Sequence, residues 1–184
     1  MSETTAPDGA RRNRRGFLYA GVAMAAALAG AGLAWRRWSP DPGPSDGSPA
    51  LWTLSFDTPS GGKLEMQSLR GKPLLLNFWA TWCPPCVEEL PLLDAFFREN
   101  SAKSWQVIGL AIDQPSAVKA FLARTPVSFP VGLAGLGGSE LSKELGNLTG
   151  GLPFSVVIGS AGKVLQRKIG RVNPAELDQW RKLR

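Results

Sequence analysis

The chain has 184 residues, 43% of them hydrophobic, enough for one domain of ordinary globular composition plus appendages. Its formal charge of +6 comes mostly from residues 1–38, where six arginines face only Glu3 and Asp8. The remainder is near neutral and carries no basic stripe interleaved with aromatics, which excludes nucleic-acid binding; two cysteines and no histidine leave too few ligands for a zinc centre.

The first ten residues are polar. Arg11, Arg12, Arg14 and Arg15 then form a basic segment ahead of an uncharged stretch, Gly16–Trp35. From Phe17 to Trp35 there are 19 residues, close to the roughly 20 that cross a bilayer. Residues 1–38 therefore read as a signal peptide or an N-terminal membrane anchor outside the fold. Four arginines before the apolar stretch against Arg36-Arg37 after it keep the N-terminus in the cytoplasm. Arg14-Arg15-Gly16-Phe17-Leu18 is similar to the twin-arginine export motif, although Asn13 and Tyr19 depart from its flanks and a general basic segment explains the same arginines. Ala29-Gly30-Ala31 offers a cleavage site, but Arg36-Arg37 beyond it favour retention as an anchor. Trp35 and Trp38 suit the membrane interface. Residues 39–50, with four prolines, two glycines and three serines, read as an extended tether.

The domain spans 51–184. Leu51–Phe56 alternates as a half-buried strand, and Ser60-Gly61-Gly62 turns it into a second strand at Lys63–Met66. After a short link, Ser68–Pro73, the run Leu74–Ala80 is almost continuously apolar, the pattern of a strand covered on both faces. Pro84 suits the first turn of a helix that runs to about Asn100. Trp105–Ile112 is a second buried strand, Ser116–Arg124 a helix started by Pro115, and Thr125–Gly132 holds another strand segment. Gly135–Gly138 reads as flexible, and Ser139–Leu145 as a helix capped by Ser139 and stopped by Gly146. Gly150-Gly151-Leu152-Pro153 leads into a β-branched strand ending at Ile158. A turn at Gly159–Gly162, a strand at Lys163–Ile169 and a helix at Pro174–Lys182 complete the chain.

The chemistry concentrates at the strand–helix junction, Trp82-Cys83-Pro84-Pro85-Cys86. Cys83 falls at the helix N-terminus, where unpaired N–H groups and the helix dipole favour a thiolate. Cys86 follows within the first turn and on the same side. That makes Cys83 the expected exposed, acidic thiol and Cys86 the buried one. A thiolate attacks disulfides, and a neighbouring thiol resolves the mixed disulfide. The alternative, a structural bridge, closes too short a loop to constrain the unfolded chain appreciably.

Together with Asn77-Phe78-Trp79-Ala80 and the downstream proline, this stretch resembles the active site of the TlpA/ResA/DsbE branch of membrane-anchored thioredoxin-like proteins, over about residues 51–180. The resemblance implies an α/β fold: a central mixed sheet flanked by helices, with an N-terminal hairpin and a helix–strand insertion. Pro91 matches the family's helix-kinking proline, Trp82 its tryptophan before the first cysteine, and Glu89 an acidic residue near the active site. Asn77 stands where thioredoxin itself has a buried aspartate, so acid–base help would fall to Glu89. Two readings of Glu89 stand side by side: a partly buried carboxyl with a raised pKa, or an exposed helix carboxylate beside Glu88. The resemblance implies a cis bond before Pro153, with the Leu152 backbone offered to an extended substrate. A trans proline opening an edge strand is the alternative.

The implied function is thiol–disulfide exchange on the periplasmic side of a bacterial cytoplasmic membrane. The expected catalytic residues are Cys83, Cys86 and Glu89, the substrate-binding ones Trp82, Leu152 and Pro153, and no cofactor is called for. The resemblance favours a reductase of exported proteins, resupplied by a membrane thiol-reducing partner, with cytochrome c maturation as the commonest duty. An oxidant or isomerase is the rival within the class. A metal-handling module on the same fold is the rival outside it, disfavoured by the absence of histidine and of a methionine cluster.

Overall fold

The computed structural model describes residues 49–183. The proposed leader, 1–38, and most of the proposed tether lie outside the described residues. Seven strands form one sheet in the order β2-β1-β5-β4-β3-β6-β7. They are β1 (Ser55–Asp57), β2 (Lys63–Glu65), β3 (Leu74–Trp79), β4 (Gln106–Ala111), β5 (Val131–Leu133), β6 (Phe154–Ile158) and β7 (Val164–Ile169). The helices are α1 (Pro84–Asn100), α2 (Pro115–Arg124), α3 (Gly137–Glu144) and α4 (Pro174–Trp180). β3, β4 and β5 run parallel, whereas β6 is antiparallel to β3, β7 to β6 and β1 to β5. The sheet is therefore mixed, as expected. No helix among the described residues is long and apolar enough to cross a membrane.

The uninterrupted apolar run of β3 follows from its central place. Leu75 and Trp79 join a core with Cys86, Leu90 and Leu93 of α1, Val118 of α2, and Leu177 and Trp180 of α4. Leu74, Leu76 and Phe78 face the other way, into a core with Leu51, Met66, Leu141 and Leu145. Alternate side chains thus enter two cores, and the strand has no polar face. Cys83 is the N-cap of α1 in extended conformation, with Pro84 and Pro85 in its first turn and Pro91 inside the helix. Asn173 caps α4: its Oδ1 accepts the Glu176 amide at 2.9 Å, and Glu176 Oε2 accepts the Asn173 amide at 2.9 Å.

Two local expectations need correction. Leu51–Phe56 is not one strand: Pro49–Thr53 is a 3-10 helix, and β1 begins only at Ser55. Leu51 and Trp52 are adjacent and both buried, which a one-sided strand cannot arrange but a helical turn lying on the sheet can. Pro49 and Ala50 accordingly belong to the domain, not the tether. Secondly, α3 starts at Gly137, and Ser139 is not its cap; the Ser139 amide already donates to the Leu136 carbonyl at 3.0 Å. Gly138 is buried where a Cβ would fall 2.7 Å from Ala134 Cβ and 2.9 Å from Ile112 Cγ1, so glycine here permits close packing. The strand segment expected within Thr125–Gly132 is found as β5, at Val131–Leu133. The residues before it are fixed otherwise, for example by the Ser128 amide donating to Asp94 Oδ1 at 2.5 Å.

The corrected start of α3 can be tested with neighbouring substitutions. A Cβ at Gly137 meets nothing within 4 Å, so Gly137→Ala should stabilise by about 0.4–1 kcal/mol. Gly138→Ala should instead destabilise by about 1–3 kcal/mol through overpacking. Urea unfolding of the two variants reads the difference, and equal effects would return Gly135–Gly138 to a flexible segment.

Candidate active site

The site begins where β3 ends. The chain turns at Ala80, whose carbonyl accepts the Cys83 amide at 3.3 Å. The Thr81 amide and hydroxyl both donate to Asp113 Oδ2, at 2.9 and 2.5 Å, and Asp113 Oδ1 accepts the Gln114 amide at 2.7 Å. Burial alone would push the Asp113 carboxyl up, but these hydrogen bonds outweigh it and hold the pKa below the ordinary value. Asp113 thus pins the turn carrying Trp82 and Cys83 to the end of β4.

Cys83 and Cys86 are joined as a disulfide, with Cα atoms 5.3 Å apart. Cys86 is fully enclosed, while Cys83 keeps 5% of its surface. The expected order of accessibility holds, but Cys83 is a buried residue with a narrow opening, not an exposed one: it sits in the core of Leu75, Trp79 and Leu90. The first turn also differs from an ordinary helix N-terminus. Pro84 and Pro85 occupy its first two positions and have no N–H, and the Cys86 and Val87 amides both point at the Cys83 carbonyl, at 3.0 and 3.1 Å. The double proline removes two of the four donors that would otherwise face an anion there.

One turn beyond Cys86 on α1 there is a buried polar cluster. Glu89, 1% exposed, accepts from Asn77 Nδ2 on Oε1 at 2.7 Å and from the Val172 amide on Oε2 at 2.9 Å. Asn77 Nδ2 also donates to Ser155 Oγ at 3.0 Å, whereas its buried Oδ1 has no partner. Burial raises the Glu89 pKa, and the bonds from Val172 and Asn77, with the nearby Arg171 charge, offset this only in part. Of the two readings, the buried carboxyl is the one found. Glu88 is the exposed neighbour, ion-paired with Arg171.

The Leu152–Pro153 peptide is cis, as the resemblance implied. The Pro153 carbonyl accepts the Gly170 amide at 2.8 Å, and Asn147 Nδ2 donates to the Gly151 carbonyl at 2.9 Å. Pro153 is buried, Leu152 is half-buried between the two cores, and Trp82 is 65% exposed beside the first cysteine. Three other large apolar side chains are also exposed: Leu136 (86%), Leu148 (83%) and Ile169 (47%). All lie in segments at the end of the sheet where β3 stops: after β5, before β6 and at the end of β7. Among the described residues no group of three or more His, Cys, Asp or Glu side chains is placed to hold a metal ion.

Sequence reasoning missed Asp113, Asn147 and Ser155. Ser155 carried a usable signal, a lone polar residue inside the β-branched run of β6. Asp113 was visible as the first charge after the apolar run of β4, but its partner Thr81 is 32 positions away. Asn147 had no local signal.

The chain matches the Redoxin family over residues 46–180. It is 34% identical over 122 residues to the thiol-disulfide oxidoreductase ResA of Bacillus cereus (strain ZK / E33L), covering 65% of this chain and 68% of the relative. It is 29% identical over 115 residues to the sporulation thiol-disulfide oxidoreductase A of Bacillus subtilis (strain 168), covering 60% of this chain and 67% of the relative. Among solved structures, StoA from Bacillus subtilis superposes with a TM-score of 0.58 at 25% identity, covering 70% of this chain and 95% of StoA. A putative thiol:disulfide interchange protein DsbE from Chlorobium tepidum gives 0.60 at 26% identity, covering 70% of this chain and 88% of that protein. A cysteine pair in C-x-x-C spacing on a thioredoxin-like fold, in a chain with these relatives, belongs to a member of the Redoxin family that acts as a thiol–disulfide oxidoreductase.

Proposed function

We propose that this oxidoreductase is a disulfide reductase of exported proteins, held by its N-terminal segment on the periplasmic side of a bacterial cytoplasmic membrane. In the reduced enzyme the Cys83 thiolate attacks one sulfur of a substrate disulfide, and the other substrate sulfur leaves as thiolate. Cys86, losing its proton, then attacks Cys83 and releases the second substrate thiolate. The enzyme pair is oxidised by two electrons and the substrate reduced by two. A membrane dithiol donor restores the enzyme by the same exchange, and maturation of cytochrome c is the duty this arrangement suits. Glu89, one turn beyond Cys86 with its raised pKa, serves as the buried proton partner for that thiol. Leu152 offers its backbone beside the cis proline to an extended substrate strand, and Trp82 packs on it.

The observation that carries the protein-substrate reading is the apolar rim. Single exposed apolar residues are ordinary, but Trp82, Leu136, Leu148 and Ile169 gather at the disulfide end of the sheet. Such a rim suits the apolar side chains of an incompletely folded chain and offers nothing to a small polar thiol.

The Cys86→Ser variant, unable to resolve, should retain a disulfide-bonded protein substrate on Cys83. In that background Leu136→Asp together with Leu148→Asp should slow capture of an unfolded disulfide protein by about tenfold, the effect of losing roughly 1.4 kcal/mol of apolar contact. Reaction with a small aromatic disulfide should stay unchanged. Equal slowing of both, or of neither, would remove the rim from substrate binding.

A second expectation concerns the double proline. Pro85→Ala restores one N–H to the first turn of α1 and should increase the thiolate fraction of Cys83 at a given pH by about two- to fivefold, given dipole contributions of about 0.3–1 kcal/mol. Thiolate absorbance of the reduced Cys86→Ser background measures it. An unchanged titration would show that the missing donor does not face the sulfur.

A further inference from the structure

The strand directions give the domain two distinct ends. The disulfide, the cis proline and the apolar rim lie where β3 stops. Four segments meet at the other end, about 20 Å away along the six residues of β3. They are residues 70–73 before β3, 101–105 before β4, 159–163 between β6 and β7, and 181–183 after α4. Pairing of Leu74 with both Gln106 and Ile158 brings the first three together, and a cleft lined by Lys103, Trp105, Arg181 and Lys182 joins the last.

These segments hold six cations, Arg70, Lys72, Lys103, Lys163, Arg181 and Lys182, all exposed, and no acidic residue. Arg181 alone has an ion pair, a 3.3 Å contact with Asp178. The rest of the described chain carries eight Lys/Arg against eleven Asp/Glu. The last turns of α1 and α4 bring Glu99 and Asp178 to the edge of this end, which with its six cations still keeps a net excess of four positive charges. The residues that connect to the N-terminal segment arrive from the same side: Trp52, in the first described helix, brings its indole Nε1 within 3.6 Å of where a Cβ on Gly162 would stand.

We propose that this basic end is a membrane-docking surface that lies on anionic phospholipid headgroups. The inference rests on the tethered, exported reading above. Anionic lipid surfaces attract clustered Lys and Arg close to a membrane attachment, and the attraction fades within a Debye length. The proposed tether, 39–48 with Pro49 and Ala50 counted to the domain, has only ten residues and keeps the domain within reach of the bilayer. Docked in this way, the domain holds Cys83 and the apolar rim on its aqueous side, towards soluble substrates.

The test uses the full chain with vesicles of phosphatidylcholine alone or mixed equally with phosphatidylglycerol, read by amide hydrogen exchange. Residues 70–73, 101–105, 159–163 and 181–183 should exchange at least about tenfold more slowly on the mixed vesicles at low salt, and lose that protection at high salt. Combined Lys72→Gln, Lys103→Gln, Lys163→Gln and Lys182→Gln should abolish it. The same number of substitutions at Lys63, Lys119, Arg124 and Lys143, with the same net charge, should not. Protection on both vesicle types, protection lost equally in the two variants, or protection reproduced by inorganic phosphate without lipid would each overturn the proposal. An alkaline wash of the vesicles reports separately on the anchor. A chain that washes off refutes the tethered reading, whereas one that stays bound without lipid-dependent protection refutes only the docking surface.

Discussion

The site depends on one buried hydrogen bond, from Asn77 Nδ2 to Glu89 Oε1 at 2.7 Å. It fastens the middle of β3 to the second turn of α1, and so sets the height at which α1 presents its first turn and the two cysteines. The same amide reaches Ser155 on β6, and the other carboxyl oxygen takes the Val172 amide just before α4. Four elements meet on two side chains. A carboxyl enclosed to this degree is tolerated because both oxygens are hydrogen-bonded, and removing either partner would leave a buried polar atom stranded. The residue at 77 also decides how many ionisable groups the cluster holds. As asparagine it donates twice and never titrates, leaving Glu89 as the one acid in the cluster.

Around that fixed point the sheet direction distributes chemistry. Parallel strands in an α/β fold leave their functional groups at the carboxyl ends, where loops are free of the core. Here that end combines a nearly enclosed disulfide, a hydrogen-bonded cis-proline loop and exposed apolar side chains. Cys83 keeps only a narrow opening, and in the function proposed above the rim is where a large substrate would make its further contacts. The double proline removes two backbone donors from the turn that follows the sulfur.

The β3–α1 junction was legible in the sequence because its signals are local: a continuous apolar run, a proline at the first helical turn and two cysteines three apart. The same holds for α2, β6 and the stop of α3 at Gly146, whose φ of +105° suits glycine. What was not legible depended on distant partners. Glu88 and Glu89 are adjacent acids on one helix, and only the helix phase against β3, with Val172 arriving from 83 positions away, makes one of them buried. Alternation at Leu51–Phe56 imitated a strand, because a 3-10 turn that buries Leu51 and Trp52 together also leaves polar residues between apolar ones. Gly137-Gly138 looked like a flexible linker, since the contact of Gly138 with Ala134 and Ile112 cannot be seen without the packing.

The central claim is that Glu89 is coupled to the thiols one turn before it on α1. Burial holds the Glu89 pKa above its ordinary value, and in its ionised form its negative charge opposes thiolate formation nearby. The most direct measurement is the thiolate titration of the reduced protein, compared with Glu89→Gln and Glu88→Gln. The account predicts that the Glu89→Gln curve moves to lower pH while Glu88→Gln overlays the unmodified protein. Superposition of all three curves would contradict it.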